Sequence, residues 1–154
     1  MKLFERIENV LCSVFKDGDK FTEALRVQYI ENCKKENIDK HLNAIFTNLD
    51  QVKYTDYAQT VQPAKLKLIL ELVAAFHDST YVEGATNNEE LSGKFLMDNL
   101  PKYPLLTANT GVVPILYRND ITQVLKVILQ TKDYSGTDVY CTIFNKIDKS
   151  VIDA

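Results

Sequence analysis

Apolar positions fall into helical periods along most of the chain. The densest stretch is Pro63 to His77, PAKLKLILELVAAFH. Within it Leu66, Ile69, Leu70, Val73, Phe76 and His77 recur at the spacing of one helix face. Leu68, Leu72 and Ala75 make the opposite side apolar as well, and a helix apolar nearly all round belongs inside a core. Pro63 suits the first helical position, where its missing N–H costs nothing. Lys65 to Leu68 also alternates with period two, but Leu, Lys, Glu and Ala with few β-branched neighbours favour a helix. The run is shorter than the roughly 20 apolar residues a membrane span needs.

The same period predicts further helices on both sides. Leu3, Phe4, Ile7, Val10, Leu11, Val14 and Phe15 form a stripe over residues 2–16, stopped by Asp17-Gly18-Asp19. Thr22 is the expected cap of a second helix, with Leu25, Tyr29, Ile30 and Cys33 inward. Asn37 or Asp39 is expected to cap a third, with Leu42, Ile45, Phe46 and Leu49 inward. His41, beside Lys40, is placed in solvent. A fifth helix runs from about Glu89 to Leu100, with Leu91, Phe95, Leu96 and Leu100 inward, and Pro101 ends it. Pro101 to Pro114 reads as an apolar linker lying against the core. The sixth helix begins at Pro114 or at Asp120, with Val124, Leu125, Ile128 and Leu129 inward, and closes at Ser135-Gly136. Asp138 is placed to cap a last helix, although the β-branched content of VYCTIF makes a strand over 138–147 the rival. The fold predicted is all-α: one domain over residues 1–154, a compact bundle of six or seven helices around a buried helix at about 63–77.

Composition narrows the class. With 154 residues, 45% hydrophobic and 25% charged, the chain is large enough to bury about 68–70% of its unfolded surface without staples. The apolar N-terminal pattern is interrupted by Glu5 and Glu8, unlike a signal peptide, so a cytoplasmic protein is expected. Cys12, Cys33 and Cys141 fit neither a disulfide framework nor a zinc pattern, and all three are placed in the interior. A net charge of −3 argues against a dedicated nucleic-acid binder.

No motif names a chemistry. There is no GxGxxG, Walker A, HExxH or GxSxG, and Gly111 stands alone in its loop. Asp17-Gly18-Asp19 lacks EF-hand spacing and reads as a turn. The two histidines are far apart, His77 serving as a favourable charge at a helix C-terminus. No metal, cofactor or catalytic residue is therefore expected, and a carboxylate-based enzyme is only a second alternative.

The remaining signal is charge. From Leu68 to Gly93 there is no lysine or arginine, while the loop DSTYVEGATNNEE at Asp78 to Glu90 is acidic. Asp78, Glu83, Glu89 and Glu90 with Tyr81 suit a basic protein partner, the charges speeding encounter and the aromatic anchoring it. Tyr54 and Tyr57, in a loop before the central helix, extend the same binding face. The expectation is a small protein-binding module, an acidic inhibitor of a partner in the manner of an immunity protein neutralising a toxin. A subunit docking through residues 105–116 is the first alternative.

Overall fold

The computed structural model describes residues 2–108 and 113–153. Gly111 lies outside them, as does the middle of the 101–114 linker and of the docking segment at 105–116. The described residues form seven α-helices: α1 (Leu3–Val14), α2 (Gly18–Asn32), α3 (Ile38–Asp50), α4 (Pro63–Phe76), α5 (Asn88–Asn99), α6 (Arg118–Gln130) and α7 (Val139–Asp153). A single 3-10 turn, Tyr54–Tyr57, precedes α4.

Helix α4 is the axis. Every residue from Leu68 to Phe76 is buried, and α4 touches α1, α3, α5, α6 and α7. Gln62 caps it through Lys65 N–H, with Pro63 at its first position. Glu71 is the one carboxylate in the buried run. Burial raises its pKa, and Arg6 of α1, 3.0 Å away, opposes that shift. Arg6 also grips Asp50 with two hydrogen bonds of 2.7 and 2.9 Å. The bidentate grip on Asp50 fixes the guanidinium where one of its nitrogens also reaches Glu71.

An aromatic cluster joins α2 to the axis. Phe21 stacks on Tyr103 at 4.7 Å and meets Phe15 edge-on at 4.9 Å and Phe76 at 5.3 Å. The Tyr29 hydroxyl donates to the Ala75 carbonyl at 2.6 Å. Among the described residues the start of the linker lies against the core, where Lys16 N–H donates to Pro104 O and Leu106 N–H to Val14 O.

Several local expectations shift. Helix α2 starts at Gly18, so Thr22 lies inside it and returns its hydroxyl to Gly18 O at 2.7 Å. Ile30 points outward at 60% exposure, and Leu91 and Leu129 are also exposed. Cys12 is exposed, while Cys33 and Cys141 are buried. Asp120 is the third residue of α6 rather than its cap, and its carboxylate accepts the Tyr117 N–H. Asp138 does cap α7, accepting Cys141 N–H at 2.8 Å. That cap draws residues 139–147 into helix against their β propensity, and it contributes about 1 kcal/mol. Partial burial works against the charge of Asp138, but the Cys141 N–H, Lys126 and Gln123 prevail and hold its pKa at about 2.

Candidate metal centre

Four side chains meet at the C-terminal end of α4. His77 is the C-cap residue of α4 and Asp78 follows it. His41 comes from the first turns of α3 and Asp148 from α7. His41 is therefore not in solvent but 8% exposed. It lies one residue before Leu42 and four before Ile45, so the face that enters the core carries the imidazole with it. Asp148 reaches the same place by the same rule, four residues after Phe144 on the buried face of α7.

The contacts alternate acid and imidazole. His41 Nε2 is 3.3 Å from Asp78 Oδ2 and 3.1 Å from Asp148 Oδ1. His77 Nε2 is 3.1 Å from Asp78 Oδ2 and 3.4 Å from Asp148 Oδ1. These separations are short, yet His41 Nε2, His77 Nε2 and Asp148 Oδ1 are buried and make no aligned hydrogen bond. His77 Nδ1 sits 3.1 Å from Ala74 O. A backbone carbonyl can only accept, so Nδ1 carries the proton there and Nε2 is the atom presented to the cluster.

Burial alone would push both imidazoles toward neutrality. The charges of Asp78 and Asp148 reverse this, raising His41 and lifting His77 to about 10. In return the imidazoles hold Asp78 and Asp148 well below the usual carboxylate range despite their burial. Lys35, from the loop between α2 and α3, adds an ammonium 3.1 Å from Asp78 Oδ2. The Tyr134 hydroxyl, from the loop between α6 and α7, donates to the other oxygen of Asp148, Oδ2, at 3.2 Å.

Three donor atoms, from His41, His77 and Asp148, lie within 4.8 Å of one another. An ion bound at ~2.0–2.1 Å needs ligand–ligand edges from ~2.8 Å in octahedral to ~3.4 Å in tetrahedral geometry. The two His–Asp148 edges, 3.1 and 3.4 Å, fall in that range. Two imidazoles and a carboxylate suit a first-row divalent ion such as Mn2+, Co2+ or Zn2+. The charge balance also permits exchange: a divalent ion displacing one proton from each imidazole leaves the net charge of the cluster unchanged.

The cluster is the wall of two cavities. One, of about 140 Å3, is lined by His77, Asp78 and Asp148 together with Tyr81, Asn88 and Tyr134. The other, of about 710 Å3, opens on His41 and is lined by Lys40, Asn37, Asn48 and Ser150. Lys35 borders both.

The residues expected to bind a basic partner are thus divided. Asp78 faces inward, committed to Lys35 and the two histidines. Tyr81 is half-buried, with Lys35 Nζ 5.2 Å above its ring, and its backbone bridges to Cys33. Glu89 lines the smaller cavity. Glu90 pairs with Lys132 at 3.4 Å, and Glu83 is exposed. Tyr54 and Tyr57 are half-buried on the core, where the Tyr54 hydroxyl donates to Leu49 O at 2.6 Å. His41, His77, Asp148, Lys35 and Tyr134 are the additions that sequence reasoning missed. Their signal was a polar residue at a position the apolar period assigns to the core, as with His41, His77 and Asp148.

Compared with protein-family models, with curated proteins and with solved structures, the chain matches none, and its function is read from this site.

Proposed function

We propose that the protein is a divalent-cation-dependent hydrolase acting on a small phosphate ester. One observation carries the reading: two imidazole Nε2 atoms and a carboxylate oxygen converge in the interior at ion-pair distance without an aligned hydrogen bond. A bound cation supplies an activated water and a Lewis acid for a phosphoryl oxygen. The chain supplies the rest. His41, His77 and Asp148 would hold the ion. Asp78, 3.3 and 3.1 Å from the same imidazoles but outside the three-atom group, orients them, with Lys35 on its Oδ2. Lys35 adds a positive charge beside the smaller cavity, and the Asn88 side chain stands in its wall. An ammonium next to a metal ion is the arrangement that neutralises a transferring phosphoryl group.

The test is a titration of the chelator-treated protein with Mn2+, Co2+, Zn2+ and Mg2+, followed by thermal unfolding and by hydrolysis of p-nitrophenyl phosphate. At 100 times its Kd a single bound ion stabilises by ~2.7 kcal/mol, which corresponds to a rise in Tm of about 5–10 °C for a chain of this size. Hydrolysis is expected to appear with the ion and vanish with EDTA. No shift with any of the four ions defeats the proposal.

Lys35→Ala tests the substrate class. Losing a charged hydrogen bond to the substrate costs about 1.5–3 kcal/mol, a loss of roughly 10- to 100-fold in kcat/KM. The loss is expected for phosphate esters and not for uncharged esters; an equal loss for both sends Lys35 to a structural role.

A second reading, the acidic module that binds a basic protein, keeps one favourable observation. Glu83 and Val82, the latter 50% exposed, stand together on the loop before α5. Here the metal titration would be silent and the His–Asp cluster would serve only to hold α3, α4 and α7 together.

A further inference from the structure

We propose that Tyr134 is a positioning residue for the metal centre, its hydroxyl holding Asp148 so that Oδ1 faces the two imidazoles. The inference rests on the metal reading above and adds a residue to it. Asp148 has two oxygens with separate duties. Oδ1 stands 3.1 and 3.4 Å from the histidine Nε2 atoms, and Oδ2 accepts the Tyr134 hydroxyl at 3.2 Å. A carboxylate free to rotate about its terminal bond presents either oxygen, or both, to an ion. The hydroxyl bond to Oδ2 removes that freedom, which is how outer partners tune ligand geometry.

The backbone shows what it takes to bring the phenol there. Tyr134 has φ of 53°, in the left-handed region that bulky residues rarely enter. Such a conformation persists when the surroundings determine it, and it clusters at working sites. The surroundings here are specific. Asn145 of α7 donates its amide to the neighbouring Ser135 O at 2.8 Å, and Asp133 accepts Ser135 N–H at 3.1 Å. The first bond ties the loop to the helix that carries Asp148, and the second braces the turn itself. The ring also forms part of the smaller cavity beside the cluster.

A space-filling tyrosine and a positioning tyrosine predict different results for Tyr134→Phe, which keeps the ring and removes only the hydroxyl. Co2+ is the probe, because its visible absorption reports coordination. Metal-free wild type and Tyr134→Phe are titrated with Co2+, and the Tm of each metal-free protein is measured alongside. The expected result is Co2+ affinity weaker by about 10-fold or more, a changed absorption band, and a metal-free Tm close to wild type. Affinity and spectrum within about twofold of wild type overturn the role of Tyr134 while leaving the metal centre standing. Wild type that binds no Co2+ overturns the metal centre itself. A fall in metal-free Tm that accounts for the whole loss of affinity marks a structural tyrosine and also overturns the proposal. In that case Tyr134→Leu, which removes the ring, unfolds the protein at still lower temperature.

Discussion

His77→Ala is expected to abolish divalent-cation binding and to destabilise the metal-free protein by about 3–5 kcal/mol. Both effects come from one atom. His77 Nε2 lies 3.1 Å from Asp78 and 3.4 Å from Asp148, and the ring meets Phe144 edge-on at 5.1 Å. Without it, two buried carboxylates share the charge of His41 and Lys35 alone. The cost of leaving a buried charge uncompensated exceeds what the intact pair contributes. The double variant His77→Ala, Asp148→Ala should therefore recover part of the loss, since the orphaned charge leaves with its partner. Urea unfolding of the single and double variants, with a Co2+ titration of each, makes the check. A single variant within 1 kcal/mol of wild type (about 1 kcal/mol is the ordinary scale for point substitutions) would mean the cluster is open to water. A single variant that still binds Co2+ with wild-type affinity would remove His77 from the centre.

That cluster was the least legible part of the chain, and the reason is geometric. Its members stand at positions 41, 77, 78 and 148. His77 and Asp78 are neighbours, but no local spacing links them to His41 or Asp148, because the carboxylate partners of His41 lie just past the end of α4 and on α7, not on α3. The helices themselves were legible because their signal is local. The all-round apolar character of residues 66–76 reported the axis of the bundle directly. The caps were read less well than the periods. Thr22 looked like an N-cap by type, yet helix α2 had already begun at Gly18, and the hydroxyl bonds backward into its own helix. The strand rival at 138–147 fails for a tertiary reason: Cys141, Phe144 and Asn145 or Asp148 reach their buried neighbours only at helical spacing. The acidic loop was correctly seen as base-free, but pairing is spatial. Lys35 and Lys132 come from elsewhere in the chain to neutralise Asp78 and Glu90.

The largest effect away from the site is expected at Gly18. The turn Asp17-Gly18-Asp19 invites the view that glycine supplies a left-handed backbone. It does not: Asp17 takes that conformation, with φ of 54°, and Gly18 is the buried first residue of α2. Its role is proximity. A Cβ at position 18 would lie 2.5 Å from Cys12 N and Cα and 2.6 Å from Leu11 C. These are backbone atoms within α1, so no side chain can swing aside to make room. Alanine must push α2 away from α1, and the strain passes to the aromatic contacts that depend on their spacing. Among these are Phe15–Phe21 at 4.9 Å and Phe4–Tyr29 at 6.1 Å. Overpacking of a tight interior typically costs about 1–3 kcal/mol and sometimes more. The helix propensity gained over glycine, at most about 1 kcal/mol, is smaller still at a first helical position. Gly18→Ala is therefore expected to lower stability by about 3 kcal/mol, and Tm by about 6–12 °C. Gly84→Ala is the control, because its φ of 82° is unfavourable for alanine but no atom lies within 4 Å of the added carbon. A backbone penalty alone costs about 1–2 kcal/mol. If the two variants unfold at the same urea concentration, the close approach of α1 and α2 carries no energy of its own. If Gly18→Ala falls well below Gly84→Ala, contact between the two helix backbones is what position 18 is selected to allow.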